Sequence, residues 1–346
     1  MPNTDYLRYL EELRQIPTLS GFENAGQKEV QQLLAPLFDD SRPAGVSGLL
    51  FTKKCGRENA PVLLIDAHLD EIGLIVTDLK DDGTLTVSSL GGMDARTYTA
   101  SSYTIHGKEN MPALSLKKPY CLGGPEARKL PKNGEFWLFT GLTKEELIQK
   151  GVAVGTPVST ESLLEEQLCG AYMDDKSCAV AALIALEELK GKDLFCDICL
   201  LLSGQEESYG AGFRTGVFDA CPDEILVVDV DLGNTPETDA AKTVKPGEGP
   251  SVAVSVQTDR KMTKELLRIA REREIPVQPA MNVKSTGTNA SSAPFLLGSV
   301  PTAVIGLPLK YMHTCVETLY KKDLLNTGRL IAAYIEERFG KGGTAE

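Results

Sequence analysis

The sequence predicts an α/β fold, a layered and mostly parallel sheet with helices on both faces, interrupted by an inserted β-rich domain. Helical patterns alternate with short apolar runs, which is typical of a layered α/β domain. A stretch of short alternating segments, rich in glycine and proline, separates the first of these runs from the others. The runs, each suited to a buried strand, occupy residues 61–66, 196–202, 225–230 and 301–305.

Two helices are predicted to open the chain. Thr4 is placed to cap the first, which carries Leu7, Leu10 and Leu13 at helical spacing. The second covers residues 25–37, where apolar positions again recur every three or four residues. Further helical segments surround the later apolar runs, at residues 174–190, 261–274 and 322–339.

Residues 75–159 form the predicted insertion. One apolar strand precedes this stretch and the remaining α/β pattern follows it, so residues 1–74 and 160–346 are assigned to one discontinuous domain. Inside the insertion, turn residues separate short alternating stretches, the pattern of a small β-rich domain. These stretches lie at residues 84–88, 103–106 and 136–139.

Composition excludes several classes of protein. The chain has 346 residues, 42% hydrophobic and 24% charged, which is enough to bury a sizeable core. Its 48 acidic and 36 basic residues give a net charge of -12, which disfavours nucleic acid and anionic membranes as partners. Residues 1–14 lack the basic start and apolar run of a secretion signal, and no stretch reaches membrane-spanning length. We therefore expect a cytoplasmic protein.

The eight cysteines are dispersed, which favours reduced thiols over a disulfide framework. Cys196 and Cys199 form a CxxC motif, but they lie inside the apolar run 194–202 and the chain has no second such pair. We interpret them as strand residues rather than as a metal or redox motif.

Carboxylates or a histidine end three of the apolar runs. In open α/β sheets, ligands bind beyond the carboxyl ends of the strands, so these polar residues are expected to converge although they are far apart in sequence. The three segments read LLIDAHLD at 63–70, LLLSGQEE at 200–207 and ILVVDVD at 225–231.

His68 and Asp70 lie two residues apart, which places both side chains on one face of an extended segment. A metal-bound imidazole normally donates its second ring N–H to a carboxylate, and Asp70 is placed to accept it. Alone, however, this spacing is more typical of a solvated loop histidine. His313 follows another apolar strand, in LPLKYMHT, where it fits either a ligand or a core histidine.

Adjacent Glu206 and Glu207 follow an apolar strand, where like charges destabilise a sheet end unless a cation neutralises them. One glutamate could bind metal while its neighbour moves protons. The alternative is a charged helix start, which the helix dipole favours. Asp174 and Asp175 have the same alternative, since acidic residues are common at helix starts.

Together these segments resemble the TET-type (tetrahedral) metallo-aminopeptidases, a family that includes glutamyl and deblocking aminopeptidases. The resemblance covers nearly the whole chain, and several motifs in the family's order are far more specific than any one of them. The motifs are AHLDEIG at 67–73, YMDDK at 172–176, GQEE at 204–207, VDV at 228–230, GTNA at 287–290 and YMHT at 311–314.

The resemblance implies a zinc-peptidase-like catalytic domain that binds two divalent metal ions per subunit. Two ions about 3.5–4 Å apart need a bridging carboxylate and hold a hydroxide as nucleophile. Nitrogen and oxygen ligands suit zinc, with cobalt or manganese as alternatives. By resemblance, Asp174 bridges the ions, and the remaining ligands are His68 and Asp229 at one ion and Glu207 and His313 at the other.

The resemblance also implies roles for the remaining polar residues and for the insertion. Glu206 is the implied general base, and Asp70 supports catalysis beside His68. The insertion corresponds to a small β-barrel-like domain for which we predict a role in oligomerisation, since members of the family often form dodecamers. The expected partners are peptide substrates with a free N-terminus and further copies of the chain.

Some residues depart from the family pattern. Asn289 stands where aspartate is usual, Lys310 replaces an arginine that often precedes the YMH motif, and Ser208 and Tyr209 extend the segment after GQEE. None of these changes removes a proposed ligand, so we expect them to affect substrate preference. Two alternatives stay open: a related two-metal deacylase or carboxypeptidase, and a non-catalytic subunit that retains the fold.

Overall fold

The structure is a computed structural model that describes residues 6–99, 101–116, 129–132, 135–160 and 168–340. The predicted cap at Thr4 lies outside the described residues. In chain order the strands are β1 (Asp40–Ala44), β2 (Gly48–Lys53), β3 (Val62–His68), β4 (Gly73–Leu79), β5 (Leu85–Leu90), β6 (Ser102–His106), β7 (Asn110–Leu116), β8 (Phe136–Phe139), β9 (Pro157–Thr160), β10 (Asp197–Ser203), β11 (Glu224–Leu232), β12 (Ser251–Val254), β13 (Gln278–Met281), β14 (Thr302–Lys310) and β15 (Thr318–Leu319).

One large sheet organises the α/β part of the chain. Its strand order is β1-β2-β10-β3-β11-β14-β12-β13, with β15 paired to β14. The four central strands β10, β3, β11 and β14 run parallel, so their carboxyl ends meet at one edge. Antiparallel pairs flank this parallel centre on both sides.

Helices cover both faces of the sheet, which explains why the central strands read as continuous apolar runs. In β3, Leu63 and Ile65 face one apolar cluster, whereas Leu64 faces another. The first cluster packs against α1, α2, α4, α6 and α7, and the second packs against α5. The described helices are α1 (Tyr6–Gln15), α2 (Gln27–Leu34), α3 (Lys144–Gln149), α4 (Met173–Glu188), α5 (Ala211–Ala220), α6 (Arg260–Glu272) and α7 (Lys321–Phe339).

The predicted fold class is confirmed by this architecture. The second helix is shorter than the predicted 25–37, because the chain tightens into a 3-10 turn at Ala35–Leu37. Pro36 in that turn has no backbone N–H to continue an α-helical ladder. None of the described helices combines the length and the apolar character needed to cross a bilayer.

The inserted part is a closed antiparallel barrel with strand order β4-β5-β8-β7-β6-β9. It has an apolar interior of its own, separate from the two clusters of the large sheet. Along β8, Phe136 and Leu138 are buried in the barrel interior, whereas Trp137 and Phe139 are exposed. This alternation is typical of a strand with one face toward the core and the other toward solvent. The barrel strands span residues 73–160, close to the predicted limits 75–159; the division into two domains and the role of the barrel stay predictions.

Candidate metal centre

The predicted ligands come from five segments that meet at the carboxyl edge of the sheet. His68 ends β3, Glu207 lies just after β10, and Asp229 lies within β11. Asp174 lies in the first turn of α4, and His313 lies between β14 and β15. This convergence follows from the parallel centre of the sheet, which carries each strand end to the same edge.

Asp174 lies between the two histidines. Its Oδ1 is 2.9 Å from Nε2 of His68, and its Oδ2 is 3.4 Å from Nε2 of His313. The same ring nitrogen of His313 is 3.2 Å from Oε1 of Glu207. One carboxylate therefore faces two imidazoles from segments far apart in the chain.

Two groups of possible ligand atoms are close enough to hold a cation among the described residues. One contains His68, Asp174 and Glu207, and the other contains His68, Asp175 and Asp229, each with its ligand atoms within 4.8 Å of one another. Asp175 adjoins Asp174 but is not among the ligands that the resemblance implies. One of its oxygens accepts from the backbone N–H of His68 at 3.0 Å, and the other is buried with no hydrogen-bond partner.

The burial of several carboxylates in one cluster favours a cation there. Burial raises the pKa of Asp229 well above its usual range, and the charge of Asp175 adds to this. Burial also raises the pKa of Glu206 to about 7, against the charge of His68 and with the repulsion of Glu207. Unpaired buried carboxylates are costly, so the oxygen-rich donor set with two imidazoles fits divalent metal ions.

The pKa of His313 is also raised, which in an imidazole favours the charged form. Burial alone would lower the pKa of His313, but hydrogen bonds with Asp174 and Glu207 raise it to about 11. Burial likewise opposes the shift at Asp174, where hydrogen bonds with both histidines hold the carboxyl pKa below its usual value. Positive charge is thus stabilised at the centre of the cluster.

Asp70 is fully buried beneath the segment that carries the two glutamates. Its carboxylate accepts the backbone N–H of Glu206 at 2.8 Å and that of Glu207 at 3.1 Å. Nδ1 of His68 lies 2.8 Å from the Asp70 carbonyl oxygen and 3.7 Å from its carboxylate, so the backbone is the nearer acceptor. Glu23, also buried, accepts the backbone N–H of Gln205 at 2.9 Å.

The residues that depart from the family pattern lie in different surroundings. Asn289 is buried and donates to Asp66 at 3.0 Å and to Ser203 at 2.9 Å. Asn289 therefore belongs to the polar interior below the ligands. Lys310 lies over the ring of Tyr320. Ser208 contacts Ser20 through their hydroxyls, whereas Tyr209 is exposed.

A cavity of about 550 Å³ opens over the ligands. His68, Asp174 and Glu206 line its floor together with the other predicted ligands, and residues 285–288 form part of its wall. It is large enough for the end of a peptide, and the clustered carboxylates face it.

Comparison with known proteins agrees with this architecture. The family model of the M42 glutamyl aminopeptidases matches residues 48–330. The lysyl aminopeptidase of Pyrococcus furiosus is 27% identical over 339 residues, which cover 95% of this chain and 96% of that protein. The structure of an aminopeptidase from the archaeon Desulfurococcus kamchatkensis matches with a TM-score of 0.86 at 26% identity, covering 96% of this chain and 95% of that chain.

The structure of the Pyrococcus horikoshii TET1 peptidase, described as able to assemble into a tetrahedron or a large octahedral shell, has the same fold. Its TM-score is 0.81 at 22% identity, covering 96% of this chain and 99% of that chain. The resemblance to TET-type peptidases drawn from the motifs is confirmed. Since the family model spans most of the sequence, the chain belongs to the M42 glutamyl aminopeptidase family and is a peptidase.

Proposed function

We propose that this peptidase is a two-metal aminopeptidase that removes N-terminal residues from peptides. The observation that carries the proposal is Asp174, whose two carboxylate oxygens each lie beside a histidine from a different segment. A carboxylate in that position can share its oxygens between two neighbouring ions. His68 and Asp229 would complete one ion site, and Glu207 and His313 the other.

When bound, the ions supply a water that is nucleophilic at neutral pH and a Lewis acid for the scissile carbonyl. Glu206 lines the same cavity and is left outside the ligand set. Asp70 accepts the backbone N–H of Glu206 and so holds this residue beside the cavity. In the proposed mechanism, the carboxylate of Glu206 takes a proton from the attacking water and gives it to the leaving amine.

The test of this function is a matched set of peptides. We expect release of the first residue from a peptide with free termini and from its C-terminal amide, and none from its N-acetyl form. A carboxypeptidase would instead spare the amide and cleave the acetylated peptide. A deacylase would release acetate from that same peptide, and either result would refute the assignment.

Removal of metal is expected to abolish hydrolysis and to lower the Tm, because the buried carboxylates then repel one another. At a free metal concentration of 100 Kd, binding to the folded state alone stabilises by about 2.7 kcal/mol. Protein treated with chelator is to be assayed with zinc, cobalt or manganese added singly, with Tm followed by calorimetry. Full activity in protein shown to be metal-free would contradict the proposal.

We also propose that the protein forms a homo-oligomer through the barrel. Cross-strand pairs Leu114 with Phe139 and Leu116 with Trp137 form a row of four exposed apolar side chains. Trp137 is 40% exposed and is the single tryptophan of the chain. The assemblies named for the Pyrococcus horikoshii relative support the formation of an oligomer.

Trp137→Lys is expected to reduce the assembly size measured by light scattering, since it places a charge in this apolar row. Ile148→Lys, at another exposed position of the insertion, is the matched control and should leave the size unchanged. An unaltered mass for Trp137→Lys would exclude the row as an interface.

A further inference from the structure

Glu317 is a buried carboxylate that lies beside the ligands without belonging to the predicted set. Its Oε1 accepts the backbone N–H of His313 at 2.8 Å. Its Oε2 accepts the backbone N–H groups of Met173 and Asp174, at 2.9 Å and 3.2 Å. Because backbone donors occupy both oxygens, the carboxylate links the segment of one ligand to the segment of another.

The backbone of Glu317 joins the same two segments. Its carbonyl oxygen accepts the N–H of Gly170 at 2.8 Å, and Leu319 donates to the carbonyl of Leu168 at 3.0 Å. These bonds lie before Met173 and after His313, so they align the segments but do not reach the ligand residues. The side chain of Glu317, in contrast, bonds directly to the backbone N–H groups of both Asp174 and His313.

Both segments contain left-handed backbone at residues other than glycine. Tyr172 has a φ of 67° and His313 a φ of 63°. Side chains with a Cβ disfavour this region, and such residues persist where their surroundings determine the conformation. The bond from Met173 N–H lies next to Tyr172, and the bond from His313 N–H lies at His313 itself. Glu317 therefore restrains the backbone at both left-handed positions.

We propose that Glu317 is a positioning residue that fixes Asp174 and His313 relative to each other, so that both can bind the same metal ion. The inference rests on the proposed two-metal function and extends it to a residue outside the ligand set. Charge-assisted hydrogen bonds from three N–H groups make the carboxylate a rigid link. Residues that orient metal ligands commonly change metal affinity by about 10–100-fold when mutated.

Asp323 provides a matched control. It is also fully buried and accepts backbone N–H groups, those of Gly247 and Gly249, the latter at 2.9 Å. It lies in the first turn of α7 and contacts none of the predicted ligands through these bonds. Asp323→Asn therefore removes the same kind of interaction without touching the metal centre.

The experiment compares wild-type protein with Glu317→Gln, Glu317→Asp and Asp323→Asn. Zinc affinity is measured by competition with a chelator, kcat and KM at saturating zinc, and Tm on metal-free protein. Glutamine lacks one acceptor oxygen, and aspartate keeps the charge but is one methylene too short to reach both segments. Both Glu317 variants are expected to bind zinc about 10–100-fold more weakly, with a lower kcat and little change in KM.

Asp323→Asn is expected to lower the Tm while zinc affinity stays within about twofold of wild type. If Glu317→Gln does not fold, Glu317→Asp decides the question. Wild-type zinc affinity in a folded Glu317 variant, or an equal loss in Asp323→Asn, would overturn the inference and leave the proposed function intact. A wild-type protein that binds no metal would overturn both.

Discussion

Glu206→Gln is expected to lower kcat by about two orders of magnitude or more while both metal ions stay bound, because a positioned general base contributes about that much. The amide keeps the size of the side chain, and the backbone bond to Asp70 is unaffected. Substrate should still bind. Bound metal is measured by elemental analysis, and kcat is measured across a range of added metal.

Glu207→Gln is the matched comparison, since the two residues are neighbours with different surroundings. Glu207 lies 3.2 Å from His313, within the ligand cluster, so its loss should weaken metal binding. Activity is then expected to recover in part when metal is added in excess. Rescue of Glu206→Gln by metal, without rescue of Glu207→Gln, would show that the two roles are reversed.

His313→Ala is expected to remove one of the two metal ions and most of the activity. Among the described residues, His68 is the other histidine beside Asp174. It lies at the opposite oxygen of that carboxylate from His313. Elemental analysis and turnover are the measurements. Two ions per chain with normal turnover would refute the ligand assignment.

His106→Ala is the control for this substitution. His106 lies in β6 of the barrel, where its ring contacts Asn110 at 3.0 Å and Ser159 at 2.9 Å. These are local polar contacts, so its loss should leave metal content and turnover close to those of the wild type. A large loss of metal there would show that the assay responds to any histidine change.

The large sheet was predictable because its central strands are buried on both faces and stand out as apolar runs. Helix α5 was not predicted, since Gly212 and Gly216 weaken the helical pattern. The structure explains both residues: a Cβ at Gly212 would lie 2.3 Å from the backbone of Gly204, and one at Gly216 would collide with Leu201. The close packing of α5 requires glycine at these positions, and the same glycines weaken the sequence pattern by which a helix is predicted.

The edge strands were missed for a different reason. Strand β13 has four residues, includes Pro279 and pairs with β12 on one side only. Strand β1 similarly carries Pro43 and mostly polar residues. Proline and polar side chains are typical of sheet edges, and they remove the apolar alternation on which sequence prediction depends.

At the metal centre, the proposed ligands were visible because the motifs place them beside strand ends and a helix start. Glu317 and Glu23 were not, although Glu317 follows His313 by only four residues. Their roles depend on backbone N–H groups that folding brings close, such as that of Met173. The local sequence around these glutamates does not indicate such contacts. Candidate ligands could therefore be proposed from the sequence, whereas the side chains that orient the backbone could not.

The spread of the ligands along the chain has a consequence for biosynthesis. A polypeptide is made from its N-terminus and its domains fold as units. A nascent chain that ends after β11 already contains His68, Asp174, Glu207 and Asp229, but His313 and Glu317 have not yet been translated. Since the domain folds as a unit, the proposed ligands are expected to come together, and metal to bind, only after β14 and the segment with His313 have been made.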